Sequence, residues 1–151
     1  MIILAEKDLN DREIIINEDT DWYDVSSNYM LSENFIRTYK HFLHWDLISE
    51  FQTLSENFIL ENSEYVDWDI ISYSQELSEQ FISDNMYRLN MDYIIEGNEL
   101  SDTFIKENMD KLDLFKLVFY QNISDDLKKD IYNKLNIIHI SELDVYCKNK
   151  K

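Results

Sequence analysis

Four groups of residues in this chain have types and spacings that could do chemistry. Asp67 with Asp69, and Glu61 with Glu64, are close acidic pairs, the arrangement in which one carboxyl group gives a proton and the other takes one. His41 and His44 have a spacing that can share one helix face, as two imidazoles of a metal site would. Cys147 could supply a thiolate nucleophile if a histidine activated it. The aromatic residues, 14% of the chain, could stack the bases of a single-stranded nucleic acid.

Each group has a plainer reading, and the plainer reading wins. Acidic pairs recur in kind along the chain, whereas an active site is single. His41 and His44 straddle an expected loop, and a zinc site would need further ligands that His139, far along the chain, does not supply. Cys147 sits in a lysine-rich tail without an orienting partner. The aromatic residues hold fixed places in a repeat, which argues for a core, and no basic groove accompanies them. With no Pro and only Gly97, the chain has no phosphate-cradling glycine loop. The sequence therefore predicts no catalytic residue, no metal and no cofactor.

The elements that carry these residues are read from a period of 23. Leu31-Ser32-Glu33, Leu54-Ser55-Glu56, Leu77-Ser78-Glu79, Leu100-Ser101-Asp102 and Ile123-Ser124-Asp125 follow one another at that step. A second marker, Asp21-Trp22, His44-Trp45, Asp67-Trp68, Asn90-Met91, Asp113-Leu114 and Asn136-Ile137, keeps the same step. A less regular unit starts at Leu9-Asn10-Asp11, one residue short. About six units thus start near 9, 31, 54, 77, 100 and 123, and a period of this size means stacked supersecondary units.

Apolar residues at relative positions 0, +4 and +5, as in Leu54, Phe58 and Ile59, share a face of a helix and not of a strand. A leucine-rich repeat would need an apolar residue at +3, where Asn57 and Gln80 stand. Ser55 fits a helix N-cap, with Leu54 and Ile59 as a hydrophobic staple and Glu56 at the positive end of the helix dipole. Ser32, Ser78, Ser101 and Ser124 repeat this start. In the second half of the unit Asp67 is the cap, with Val66 and Ile71 as the staple. The expected fold is all-α: an α-solenoid of helix–turn–helix repeats forming a single domain over 1–151. Helices of roughly 8 residues do not persist alone in water, so stacking must hold them, with Phe35, Phe58, Phe81 and Phe104 meeting Trp22, Trp45 and Trp68. Where the tryptophan gives way to Met91, Leu114 and Ile137, either Phe115 and Phe119 compensate or the later units are looser. Met1–Glu6 is expected as an extended cap, Gly97 as a helix stop in the left-handed conformation, and 136–151 as a last helix with a polar lysine-rich end.

Charge is the other strong feature, at −17 overall. Residues 1–127 hold 28 acids against 8 bases, and 128–151 hold 3 against 6. Between Phe42 and Ile105 there are 14 acids and Arg88 alone as a base. Such a field repels nucleic acid and anionic membranes and attracts basic proteins, and it also keeps a thin, high-surface array soluble. No apolar run reaches the length of a membrane span, the N-terminus lacks the order of a signal peptide, and one cysteine fits a reducing compartment. The expected location is the cytoplasm.

The repeat also sorts the acids. Those at caps and first turns have a structural reason. Asp46, Glu50, Glu61, Glu64, Asp69, Glu76, Glu96 and Glu99 have none, and they are the candidate partner-binding residues. Asp46, Asp69 and Asp92 would form a column across stacked units. Helices pack about 8–10 Å apart while phosphates on one strand come every ~3.4 Å, so one column is too sparse to imitate a duplex and two or three together would be needed.

The string LSENFI…DWDIIS…Q…LSEQFI, covering 31–122 and strongest over 31–82, resembles the short two-helix repeats of uncharacterised proteins of large DNA viruses and bacteriophages. Loss of the tryptophan at Met91-Asp92 and Leu114-Phe115 departs from that pattern. The resemblance implies a viral or phage origin and an interaction role, often against a host factor, in the host cytoplasm. The expected function is a non-enzymatic acidic module that binds a protein with a basic surface, with no membrane and no direct nucleic-acid binding. The alternative is an acidic mimic of nucleic acid that inhibits a basic host enzyme such as a defence nuclease.

Overall fold

A computed structural model describes residues 4–136. Two short strands, β1 (Leu4–Lys7) and β2 (Glu13–Ile16), pair antiparallel from Leu4 opposite Ile16 to Lys7 opposite Glu13. Ten helices follow among the described residues: α1 (Trp22–Asn28), α2 (Glu33–Tyr39), α3 (Trp45–Phe51), α4 (Glu56–Glu61), α5 (Trp68–Ser74), α6 (Glu79–Asn85), α7 (Met91–Gly97), α8 (Asp102–Asn108), α9 (Leu114–Tyr120) and α10 (Asp125–Lys134). The fold is mostly helical, in a regular pattern of helices about seven residues long. The chain forms two compact units, one of Met1–Leu77 with Tyr87–Leu89 and one of Ser78–Met86 with Asn90–Lys151. In the first unit α3 packs on α1 and α5, and in the second α9 packs on α7, in solenoid fashion.

The helix starts are where the caps place them. The hydroxyls of Ser32, Ser55, Ser78, Ser101 and Ser124 accept from the N–H three residues on, at 3.1–3.2 Å. Asp21, Asp67 and Asp113 each accept from two main-chain N–H groups, and Asn90 from one. His44 makes no such bond with its side chain. The staples close beneath these caps: Leu54 with Ile59 and Val66 with Ile71 are all buried. Burying one such side chain is worth about 1.5–3 kcal/mol, so the repeated layer of Phe and Ile outweighs the poor intrinsic stability of seven-residue helices.

Three features differ from the reading of the sequence. The stretch starting at Leu9 is a hairpin and not a helix. Its +4 position is Glu13, and the β-branched run Ile14-Ile15-Ile16 alternates, with Ile14 and Ile16 buried and Ile15 exposed, which suits a strand. The turn is held by the buried carboxylate of Asp8, which accepts from the N–H groups of Asn10 and Arg12, while Asp11 takes a φ of 61°. Gly97 is not left-handed. It ends α7 with no positive φ, and the extended Asn98 stops the helix.

The tryptophans are half-buried rather than central. Burial of the whole ring would strand the indole N–H, which instead donates to the end of the preceding helix: Trp45 to the Lys40 carbonyl at 2.9 Å and Trp68 to the Ser63 carbonyl at 3.0 Å. In the second unit Leu114 is buried, but Phe119 is exposed and fills no gap. Ile137, His139, Cys147 and the expected last helix lie outside the described residues.

Candidate functional site

Asp46 and Asp69 occupy the same place, the second residue of α3 and of α5, so they are first-turn acids that complement the helix dipole and, against the reading of the sequence, do have a structural reason. Glu50 lies one turn beyond Asp46 on the same face of α3. Glu61 ends α4, Glu96 belongs to the last turn of α7, and Glu64, Glu76 and Glu99 stand in the segments that connect helices. All eight are exposed. They are spread over both units, and only Asp46 and Glu50 share a helix face.

Ion pairing divides them further. Arg37 reaches Glu61 at 2.9 Å and Glu33 at 3.5 Å. Lys116 lies 2.6 Å from Glu96 and 3.2 Å from Asp92. The hydrogen bond to Glu96 raises the Lys116 ammonium above its usual range, partial burial opposes it, and Asp92 adds to the rise. Glu61, Glu96 and Asp92 are therefore paired within the scaffold, each cation being shared by two carboxylates, so that each cluster keeps one negative charge. Asp46, Glu50, Glu64, Glu76 and Glu99 form no ion pair among the described residues.

The cap and first-turn acids do more than complement helix dipoles. Glu33 accepts from the Ser55 N–H at 2.8 Å, and Asp102 from the Ser124 N–H at 3.3 Å. Glu79 accepts from both the N–H and the hydroxyl of Ser101, the latter at 2.9 Å. Each acid thus ties one repeat to the cap of the next. The bond with the Ser124 hydroxyl holds the Asp102 carboxyl below the usual carboxylate range, against the opposing effect of burial, with lesser help from the Ser124 N–H and Lys106.

A buried polar ladder was not anticipated from the sequence. The Gln52 amide oxygen accepts from the Leu31 N–H at 2.7 Å, and its NH2 donates to the carbonyls of Ser26 and Tyr29 at 3.0 and 2.8 Å. Gln75 repeats this with Leu54, Ser49 and Gln52, and Gln121 with Leu100, Ile95 and Asn98. The hydroxyls of Ser26 and Ser49 donate to the carbonyl four residues back and accept from the N–H of the next odd-helix cap, His44 and Asp67, both at 3.0 Å. Asn62, Asn85 and Asn108 donate back to Phe58, Phe81 and Phe104. The signal for all of them was their recurrence at the period of 23.

Of the residues with catalytic spacing, Asp67, His41 and His44 have described partners. Asp67 is occupied by the N–H groups of Asp69 and Ile70 at 3.0 and 3.1 Å. His41 and His44 are exposed and lie edge-on to Tyr65 and Tyr23. Among the described residues no three His, Cys, Asp or Glu side chains are grouped to hold a metal, and no helix is long and apolar enough to cross a membrane. The fold and these surfaces define a two-helix-repeat protein with acidic residues left outside its scaffold. No family model, curated protein or solved structure matches the chain.

Proposed function

We propose that the chain is a non-enzymatic, acidic helical-repeat module that binds a protein with a basic surface. The observation that carries this reading is that five of the eight candidate acids, Asp46, Glu50, Glu64, Glu76 and Glu99, are exposed and form no ion pair among the described residues, whereas other described acids serve caps, repeat junctions and internal ion pairs. Leaving carboxylates unpaired is inexpensive in water, and it gives a long-range field that raises the rate of encounter with a cationic partner. The viral or phage origin and the host cytoplasm as its place of action belong to the same proposal and rest on the repeat motif. The test is affinity capture of partners from a host lysate at low and high salt, with the native chain and with the triple charge reversal Glu50→Lys, Asp69→Lys, Glu76→Lys. Capture that weakens steeply with salt and is lost in the triple variant supports the reading. Capture indifferent to both contradicts it. Competition by DNA or RNA would show that the partner's nucleic-acid groove is the part engaged.

A further inference from the structure

The acids of the first unit share its surface with aromatic rings. Each tryptophan that opens an odd-numbered helix there carries the side chain found 20 residues later: Phe42 stacks on Trp22 at 5.1 Å, Tyr65 lies against Trp45 at 5.2 Å, and Arg88 lies over Trp68 at 5.1 Å. Phe42, Tyr65 and Arg88 hold one position of the repeat, so in the third rung a guanidinium takes the place that a ring takes in the first two.

The other cations of this unit behave alike. Its sequence contains five Lys and Arg residues, and four of them lie over rings: Arg12 on Tyr29, Arg37 on Phe58, Lys40 on Tyr65, and Arg88 on Trp68 and Tyr87. Arg12 and Arg37 also pair with Asp8 and Glu61, whereas Lys40 and Arg88 form no ion pair among the described residues although carboxylates are plentiful. Between Lys40 and Arg88 the chain has ten acids and no base, and over the same stretch Phe42 is 60% and Tyr87 77% exposed. On this edge Lys40 lies on Tyr65 and Arg88 on Tyr87, while among the described residues no cation lies on Phe42, whose ring stands exposed in a negative field.

We propose that this edge of the first unit takes an arginine-bearing segment of a protein partner, its guanidinium groups lying on Phe42 and, in place of Lys40, on Tyr65, the kind of contact that Arg88 makes with Trp68. Glu64 and Asp46, chain neighbours of Tyr65 and Trp45, supply the countercharge. A guanidinium is planar and weakly hydrated and stacks on rings, whereas an ammonium holds its water more tightly, so the edge distinguishes arginine from lysine at equal charge. The inference rests on the interaction role proposed above and adds the partner's chemistry.

The experiment titrates the full chain with an arginine-rich peptide and a lysine-rich peptide of equal length and charge, read by the three tryptophans, all of which lie on this edge. The arginine peptide is expected to bind roughly tenfold more tightly. The double variant Phe42→Ala, Tyr65→Ala loses that preference and keeps only weak, salt-sensitive binding of both peptides. Phe42→Arg with Tyr65→Arg, which gives each rung its own guanidinium, loses it as well and serves as the test if the alanine variant does not fold. Equal affinity of the native chain for the two peptides, or a preference unchanged by either double variant, overturns the inference while leaving the acidic-module reading in place. Binding of neither peptide at low salt overturns both.

Discussion

The two units solve one packing problem with different chemistry. In the first, the middle of each odd-numbered helix carries a buried serine, Ser26, Ser49 or Ser72, and the helix opens with a tryptophan. In the second, the serine position holds Ile95 and Val118, and the tryptophan position holds Met91 and Leu114. Ile95 is as fully buried as the serines. A relay hydroxyl and an aliphatic side chain are thus interchangeable there, provided that each repeat is internally consistent. The glutamine is kept at one of the two matching places: Gln121 holds in the second unit the three bonds that Gln52 and Gln75 hold in the first, while Asn98 stands at that position after α7. The amide clamp is the common scaffold, and the Ser–Trp pair marks the first unit.

The largest expected effect comes from breaking what the units share. Gln75→Ala leaves the Leu54 N–H and the Gln52 carbonyl without the amide's bonds, while the Ser49 carbonyl keeps the Ser74 hydroxyl at 2.7 Å, and unsatisfied buried groups cost about 1–3 kcal/mol each. Urea denaturation should show a loss of roughly 3 kcal/mol or more. Gln75→Glu should be little better, since it removes both donors. A loss under ~1 kcal/mol would mean that water replaces the clamp.

Exchanging the units' solutions should come next. Ile95→Ser puts the first unit's residue into the second, losing apolar burial and leaving a cavity, at about 2–4 kcal/mol. Ser49→Ala removes the acceptor of the Asp67 N–H and should cost about 1–2 kcal/mol. Equal and negligible losses in both would remove the distinction between the units.

The smallest effects follow pH. Burial pushes the Asp8 carboxyl up, but hydrogen bonds from the Arg12 main chain and guanidinium, from Met30 and from Asn10 outweigh it and hold it below its ordinary value. The hydrogen bond and the charge of Lys134 do the same for Asp110 in the second unit, against a lesser effect of burial. Both groups are lower in the folded than in the unfolded state. The stability they give is complete above the unfolded carboxylate value of about 4 and is lost as pH falls through the folded one. Asp8→Asn and Asp110→Asn should each flatten the acid limb of the denaturation profile, and an unchanged limb in both would contradict the assignment.

The repeat, its caps and its staples were legible in the sequence because each depends on local spacing: Ser55 three residues before Phe58, and Leu54 five before Ile59. The hairpin was missed because a period of 23 was extended backwards over a β-branched run whose own period is two. The clamp was missed because Gln75 bonds to residues 21, 23 and 26 positions away, and helix spacing says nothing about partners one repeat distant. Among the candidate acids, Glu61 and Glu96 could not be separated from Glu50 or Glu64 by sequence. What separates them is a cation in an adjacent repeat, Arg37 or Lys116, 24 and 20 residues away.

The central claim is that scaffold and binding residues are different residues. The most direct measurement compares affinity and stability in one variant, Asp46→Asn, Glu50→Gln, Glu64→Gln and Glu76→Gln, all exposed and outside the ion pairs of the first unit. Titration of the captured basic partner, alongside urea denaturation of the same preparation, should show binding weakened at least tenfold with stability within about 0.5 kcal/mol of the native chain. Unchanged affinity, or a loss of binding accompanied by a loss of stability, would contradict the account.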